Sequence, residues 1–290
     1  MNVLDCRFSG RYPQQNREKK FPAALMESHK AYSGSCLLDK SPRIANAAWK
    51  VKQLAREQLR KPEVMGFIGR CLTKSPQEYG ALLVEPDIKA LSDLIEEANS
   101  AKPEGKDAII RQAGIAVELM KIRNRLLFEG PQSAFAYYDS VPGAKKLHKA
   151  LGAELHEIRI GLHNHGHFIF HPKTVALRDA LEHRIVGRCL VLCESMQQAE
   201  ALDSLFRGRY RADFSTDVGV VKLHNYLNLV LFSPTMRLKE AIRLFSGPEV
   251  IILAMKGTWE EGVYQYYAKL EESRRARQGS LGLDVPCDRP

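Results

Sequence analysis

Apolar residues follow two different periods along the chain, and the change of period divides it into two parts. From residue 42 onwards they recur every three or four positions, the spacing that places side chains on one face of an α-helix. Ser41 followed by Pro42 is a typical helix start, because proline lacks the amide hydrogen that the first turn leaves unpaired. Apolar stripes starting near 42, 64, 86, 106, 131 and 144 predict six helices. We therefore predict a helical unit over residues 42–156.

Beyond residue 157 short apolar runs alternate with amphipathic segments. The runs lie at 188–193, 219–223, 227–232 and 250–254, and the helical segments at 172–183, 196–206, 235–245 and 259–277. Continuous apolar strands separated by helices indicate a parallel sheet that is covered on both faces. The expected fold class is thus α/β, with an N-terminal helical domain followed by a parallel-sheet lobe over residues 157–277.

The two ends of the chain differ from this pattern. Residues 1–41 are polar, basic and interrupted by Pro, Ser and Gly, and 278–290 contain Gly and Pro, so both are expected to be flexible tails. No apolar run approaches the ~18 residues needed to span a bilayer, and the first 20 residues lack a signal-peptide core. The 6 cysteines form no CxxC pair, which favours reduced thiols. These features predict an intracellular protein without a membrane partner.

The charge balance favours a polyanionic partner. The formal net charge is +9 and the isoelectric point about 9.2. A basic protein of this kind attracts nucleic acid, although a basic surface also serves solubility alone. Composition by itself leaves both explanations open.

Segments of the C-terminal half resemble the motifs of superfamily 2 helicases in order and spacing. Pro172 and Lys173 open a helix, 188–195 is a strand that ends in polar residues, 215–219 reads Ser-Thr-Asp-Val-Gly, and 250–261 is a strand that turns into an aromatic helix. Together they are similar to the second RecA-like lobe of these helicases, most closely of the Hef/FANCM group. The resemblance implies that Ser195 and Thr216 approach a nucleic-acid backbone. It also matches residues 115–151 to the helical insert that engages branched DNA in Hef-type helicases.

The parts of such a motor that hydrolyse ATP are not found. The sequence contains neither a GxxxxGK[ST] P-loop nor a DExH box, and 41 residues before the first helix are too few for a first lobe. Where the family has QxxGRxGR, residues 239–247 retain only Arg243. We therefore expect a degenerate helicase that is not an enzyme, with the first lobe missing and no cofactor.

Basic side chains supply the candidate phosphate contacts, because each Lys or Arg that neutralises a phosphate releases counterions. Arg207, Arg209 and Arg211 alternate around Tyr210, so they share one face if that stretch is extended. Any single one is better explained as part of a solvated helix surface, whereas the set as a whole favours binding. With Ser195 and Thr216, the predicted set is Arg111, Lys121, Arg123, Arg125, Lys145, Lys146, Arg207 and Arg209.

Histidines between the two parts form the one metal-like cluster. His163, His165 and His167 would point to one side of a strand, where three imidazoles suit zinc. No carboxylate or cysteine lies beside them and Gly166 indicates a loop, so a histidine-rich connector is favoured over a metal-dependent hydrolase.

The sequence as a whole predicts a non-catalytic, helicase-like protein that binds branched or forked DNA as an accessory or regulator of DNA repair or replication. RNA is a possible ligand, because RIG-I-type and Dicer-type helicases share the layout of insert and lobe. Two alternatives are a protein-interaction scaffold built on a dead lobe, which would contact a repair or replication protein, and one half of a split helicase.

Overall fold

The helical part is built around one long central helix. The computed structural model describes residues 36–70, 76–100, 105–140, 144–164, 171–217, 222–235 and 238–280. Its first seven helices are α1 Pro42–Leu59, α2 Pro62–Arg70, α3 Pro76–Val84, α4 Ile88–Ser100, α5 Lys106–Phe128, α6 Pro131–Ser140 and α7 Ala144–Asn164. Leu119, Ile122 and Leu126 of α5 are fully buried, because α1 and α4 pack against this helix. The predicted helical unit is present.

Two features of this part differ from the prediction. Helix α3 was not foreseen, and α7 continues to Asn164 although the sixth helix was expected to be short. A kink at Leu151, with φ −144° and ψ 23°, separates the two segments of α7. Its second segment keeps an apolar stripe, Leu155, Ile158 and Leu162, which packs into the same core. The predicted boundary near residue 157 therefore falls inside a helix.

A five-stranded parallel sheet forms the second part. The strands are β1 Cys36–Leu38, β2 Cys189–Leu192, β3 Ala212–Ser215, β4 Asn228–Leu231 and β5 Glu249–Met255, in the order β1-β5-β4-β2-β3. Around the sheet lie α8 Pro172–His183, α9 Met196–Phe206, α10 Lys239–Leu244 and α11 Trp259–Ser280. The α/β class, a helical part followed by a parallel-sheet lobe, is confirmed. Within the described ranges, no helix combines the length and the apolar character needed to cross a membrane.

Two strands lie where the sequence did not predict them. Strand β1 falls within the segment expected to be an N-terminal tail, and it pairs with β5 so that Cys36 faces Leu253. Strand β3 precedes the run predicted at 219–223; of that run, Leu223 belongs to a 3-10 turn, and 219–221 lie outside the described residues. Both are edge strands, and β3 is only half-buried, so neither carries a long continuous apolar run.

Candidate nucleic-acid interface

The ends of β2 and β4 form the place where an open parallel sheet usually binds a ligand. The chain passes from β2 outward to β3 and then crosses to β4 on the other side of β2, so its direction reverses between these strands. Ser195 follows β2 and caps helix α9, because its hydroxyl accepts the amide hydrogen of Gln198. Ser233 follows β4 and donates to the side-chain oxygen of Gln198 over 3.1 Å. Short polar side chains thus mark this carboxyl edge of the sheet.

Side chains of the helical part contact the carboxyl edge of the sheet at Ser195. Arg125 Nη1 donates to Ser195 Oγ and to Glu129 Oε2, each over 2.8 Å, and Ser195 Oγ donates to the same Glu129 oxygen over 2.7 Å. Ser133 Oγ also donates to that oxygen, and the Arg125 guanidinium lies 4.4 Å from the ring centroid of Tyr137. Two residues that were predicted to bind nucleic acid, Arg125 and Ser195, therefore contact each other. Their hydrogen bonds join the helical part to the lobe.

A buried ion pair lies in the lobe close to this junction. Lys173 Nζ is 2.5 Å from Glu260 Oε1, both side chains are fully buried, and the Met255 amide donates to the other Glu260 oxygen over 2.9 Å. Burial lowers the pKa of Lys173 and raises the pKa of Glu260, and in each case the partner's charge opposes this effect. The pair thus connects the start of α8 with the start of α11.

His171, the residue that precedes α8, is buried without charge. Burial, assisted by Lys173, lowers its pKa to about 3, so the ring is neutral at pH 7. Its Nε2 lies 3.2 Å from the carbonyl oxygen of Leu127, to which it donates when that nitrogen carries the proton. The contact ties α8 to the end of α5.

The other predicted cations of α5 differ in how they are engaged. Lys121 pairs with Glu118 over 2.8 Å, and Arg123 donates to Asn124 over 3.1 Å. Arg111 is exposed and forms no ion pair with a described residue. It lies about 21 Å from Arg125 along the helix, at a rise of 1.5 Å per residue. Of these three residues, Arg111 is therefore the one whose exposed guanidinium is available to bind a phosphate.

Three more predicted contacts lie on other elements. Lys145 and Lys146 belong to α7, but their side chains lie outside the described residues. Thr216 follows β3 at the carboxyl edge, where its hydroxyl donates to the Met196 sulfur over 3.4 Å. For all three, a contact with nucleic acid stays a prediction.

Arg207 and Arg209 lie at the opposite end of the lobe from Ser195 and Thr216. Helix α9 has 11 residues and is about 16 Å long, so it carries the chain from the carboxyl edge to the amino edge of the sheet. The stretch between α9 and β3 is a turn in which Gly208 has φ +75°. The condition for placing these side chains on one face, an extended segment, is therefore not met, because extended backbone begins only at Ala212.

Four arginines gather at this amino edge, and we refer to Arg188, Arg207, Arg209 and Arg211 as the amino-edge arginines. Arg188 and Arg211 precede neighbouring strands, and the carbonyl of Arg211 accepts the Cys189 amide hydrogen over 2.9 Å. An open depression of about 330 Å³ is lined by Arg188, Tyr210, Arg211, Ala212 and Asp213. The prediction missed Arg188, since the helicase resemblance directs attention to the other end of its strand.

Two of the four amino-edge arginines form ion pairs with neighbouring aspartates. Arg188 pairs with Asp213 over 2.9 Å, and Arg207 donates to Asp203 over 3.0 Å. Arg209 and Arg211 are exposed and, among the residues the structure describes, have no ion-pair partner. Their charges are therefore available to an anionic ligand.

The histidine cluster gains no support as a metal site. His163 lies at the end of helix α7, so the strand geometry on which the zinc hypothesis depended does not hold at this residue. His165 and His167 lie outside the described residues. In the part of the chain that the structure covers, no three His, Cys, Asp or Glu side chains are placed to hold a metal ion.

The architecture is similar to that of a known helicase. The crystal structure of the Pyrococcus furiosus Hef helicase domain matches 85% of this chain, with a TM-score of 0.53 and 15% sequence identity. The match is longer than the sheet lobe alone, so it includes much of the helical part. This likeness shows that the fold is helicase-like. The chain covers 59% of that domain's length. No protein-family model and no curated protein sequence matches the chain.

Proposed function

We propose that this chain is a non-catalytic, helicase-like protein that binds branched DNA and acts as an accessory or regulator of DNA repair or replication. One observation carries the proposal: a helical part and a parallel-sheet lobe arranged as in the Hef helicase domain, in a sequence without P-loop or DExH box. The net charge of +9 supports a nucleic-acid ligand.

The expected lack of ATP hydrolysis follows from the chemistry of phosphoryl transfer. A P-loop holds the phosphates with backbone amides and a lysine, and further arginines stabilise the charge that develops on the transferred group. This sequence has no P-loop, and Arg243 is the single arginine of the stretch 239–247. We therefore propose that the lobe binds nucleic acid without ATP-driven translocation.

The amino-edge arginines are the favoured phosphate contacts of the lobe. Arg209 and Arg211 are exposed, and the depression beside them is open enough for a phosphate group to approach Arg211. Arg111 is the favoured contact of the helical part. Contacts of this kind respond to the shape of the backbone and not to base sequence, which suits a protein that recognises a branch.

Fluorescence anisotropy with labelled nucleic acids tests the proposal. A DNA fork, a linear DNA duplex and a matched RNA duplex are each titrated at two salt concentrations. We expect the fork to bind most tightly, with an affinity that falls steeply as salt rises. Failure to bind any of the three at low salt would overturn the proposal and favour the protein-interaction scaffold. A preference for the RNA duplex would overturn its assignment to DNA.

Paired variants locate the surface. Arg209→Ala/Arg211→Ala removes two phosphate contacts, so the slope of log K against log salt should fall in magnitude by about 1.8 on duplex DNA. Arg43→Ala/Lys89→Ala is the matched control, because it removes two exposed charges from the helical part. Equal losses in both variants would show that net charge alone drives binding and would refute the assigned surface.

A further inference from the structure

An open groove separates helices α1 and α7 on the surface of the helical part. It has a volume of about 490 Å³, and its lining comes from residues three to four positions apart on each helix, as expected where two helices face each other. We call it the α1–α7 groove; it is lined by Trp49, Lys50, Gln53, Leu54, Glu57, Glu154, Glu157 and Ile158.

The apolar residues of this groove are suited to holding a partner side chain. Trp49 is 56% exposed although its side chain is a large aromatic ring, and it is one of 2 tryptophans in the chain. Leu54 and Ile158 belong to the edge of the helical core and form an apolar base near it. A large exposed aromatic ring beside an apolar base is typical of the centre of a binding surface, where tryptophan contributes strongly to affinity.

The charged residues of the groove have the opposite sign to the protein as a whole. Glu57, Glu154 and Glu157 are exposed, and none forms an ion pair with another described residue. Lys50 is the one cation in the lining, while the chain as a whole carries a net charge of +9. Three carboxylates so placed repel a polyanion and attract a cationic ligand. This groove therefore differs in kind from the amino-edge arginines.

We propose that the α1–α7 groove binds a short basic segment of another protein. An apolar side chain of that segment contacts Trp49, and its Lys or Arg side chains pair with the three glutamates. From Trp49 to Glu57 the groove extends about 12 Å along α1, which matches two turns of a helix. This interaction surface is independent of the proposed binding of nucleic acid.

Trp49 itself reports binding when the other tryptophan is replaced. In a Trp259→Phe background the tryptophan emission of the 290-residue chain comes from Trp49 alone. The probe is a labelled helical peptide of about 12 residues, ~18 Å long, with leucines on one face and lysines and arginines on the other. We expect it to shift the Trp49 emission and to saturate. A peptide with glutamates in place of its cations, and one without leucines, should bind at least about tenfold more weakly, a factor of ten in Kd being ~1.4 kcal/mol.

Charge-matched variants distinguish the groove from general attraction. Glu57→Gln/Glu154→Gln/Glu157→Gln should weaken the basic peptide at least tenfold while DNA binding stays unchanged or becomes slightly tighter. The control triple removes three exposed carboxylates elsewhere and should bind the peptide as the wild type does; it is Glu96→Gln/Glu200→Gln/Glu272→Gln.

Four results would overturn the proposal. The first is that the basic peptide does not change the Trp49 emission, and the second is that the acidic peptide binds as tightly as the basic one. The third is that both triple variants lose the same affinity for the basic peptide. The fourth is that a peptide of residues 1–33 displaces the basic peptide as well as unlabelled basic peptide does. The last result would make the chain's own basic end the occupant. Circular dichroism of each variant shows whether a loss of binding reflects the groove or unfolding.

Discussion

Replacing Lys173 by methionine should destabilise the protein strongly and in a pH-dependent way. Lys173 and Glu260 are both fully buried and 2.5 Å apart. Methionine has a similar length and can keep the contact with the Phe232 ring, whose centroid is 5.6 Å from Lys173 Nζ. The change therefore removes the charge and leaves Glu260 buried without its cation.

The expected magnitude follows from this burial. Breaking a buried pair by removing one partner costs about 3–5 kcal/mol, because the remaining charge is uncompensated. Glu260 keeps the hydrogen bond from the Met255 amide, which favours the lower part of that range. For comparison, a whole domain has a stability of only about 5–15 kcal/mol.

The pH dependence has a definite sign. Burial already raises the pKa of Glu260, and Lys173 is the largest influence that lowers it, so the variant raises that pKa further. A carboxyl group whose folded-state pKa lies above its unfolded value of ~4.3 favours the folded state most below that value, and the effect is lost as pH rises. The deficit relative to wild type should thus shrink as pH falls from 7 towards 5, with a slope of at most about 1.4 kcal/mol per pH unit for one proton.

Urea unfolding followed by circular dichroism at pH 5, 6 and 7 measures this deficit. Lys173→Met/Glu260→Gln is the matched double variant, because glutamine retains an acceptor for the Met255 amide and carries no charge. It should recover most of the lost stability, since replacing a whole buried pair by neutral groups costs little. A deficit under about 1 kcal/mol for Lys173→Met, or a double variant no more stable than the single one, would refute this reasoning.

Three further predictions concern the junction and the core. Ser195→Ala should cost about 1–2 kcal/mol in urea unfolding, because it removes the cap of α9 as well as the acceptor for Arg125, and an unchanged midpoint would contradict this. Gly130→Ala should cost roughly 1–3 kcal/mol, since Gly130 has φ +100° and an added Cβ would lie 3.2 Å from the His171 side chain; Gly114→Ala, in open space within α5, should be neutral or stabilising. Burial raises the pKa of the Cys189 thiol to about 12, so the thiol should not react with iodoacetamide in the native protein. Mass spectrometry after a pulse of iodoacetamide should find Cys189 unmodified in the native protein and alkylated in urea. Modification in the native state would contradict its burial.

The sequence pattern predicted those elements whose own side chains carry a continuous signal. Strands β2, β4 and β5 are apolar and buried along almost their whole length, and α5 has a long amphipathic stripe between recognisable ends. Strand β1 has three residues and β3 is half-buried, so each is recognised only from its pairing, β1 with β5 and β3 with β2. The period of apolar residues reflects which faces of a segment are buried, so it gives little information about a short strand at the edge of a sheet.

The candidate site shows the same division more sharply. Arg125 and Ser195 were both expected to bind nucleic acid, yet they are 70 positions apart and their contact with each other could not be foreseen. Lys173 and Glu260 are 87 positions apart, and nothing in the local pattern of either residue indicates a buried ion pair. Sequence alone determined most of the helices, the buried strands β2, β4 and β5 and the basic character of the chain, because these depend on residues near one another. Which polar groups meet across the junction, and which arginines remain exposed at the amino edge, was decided by tertiary packing, since only packing brings distant side chains within hydrogen-bonding range.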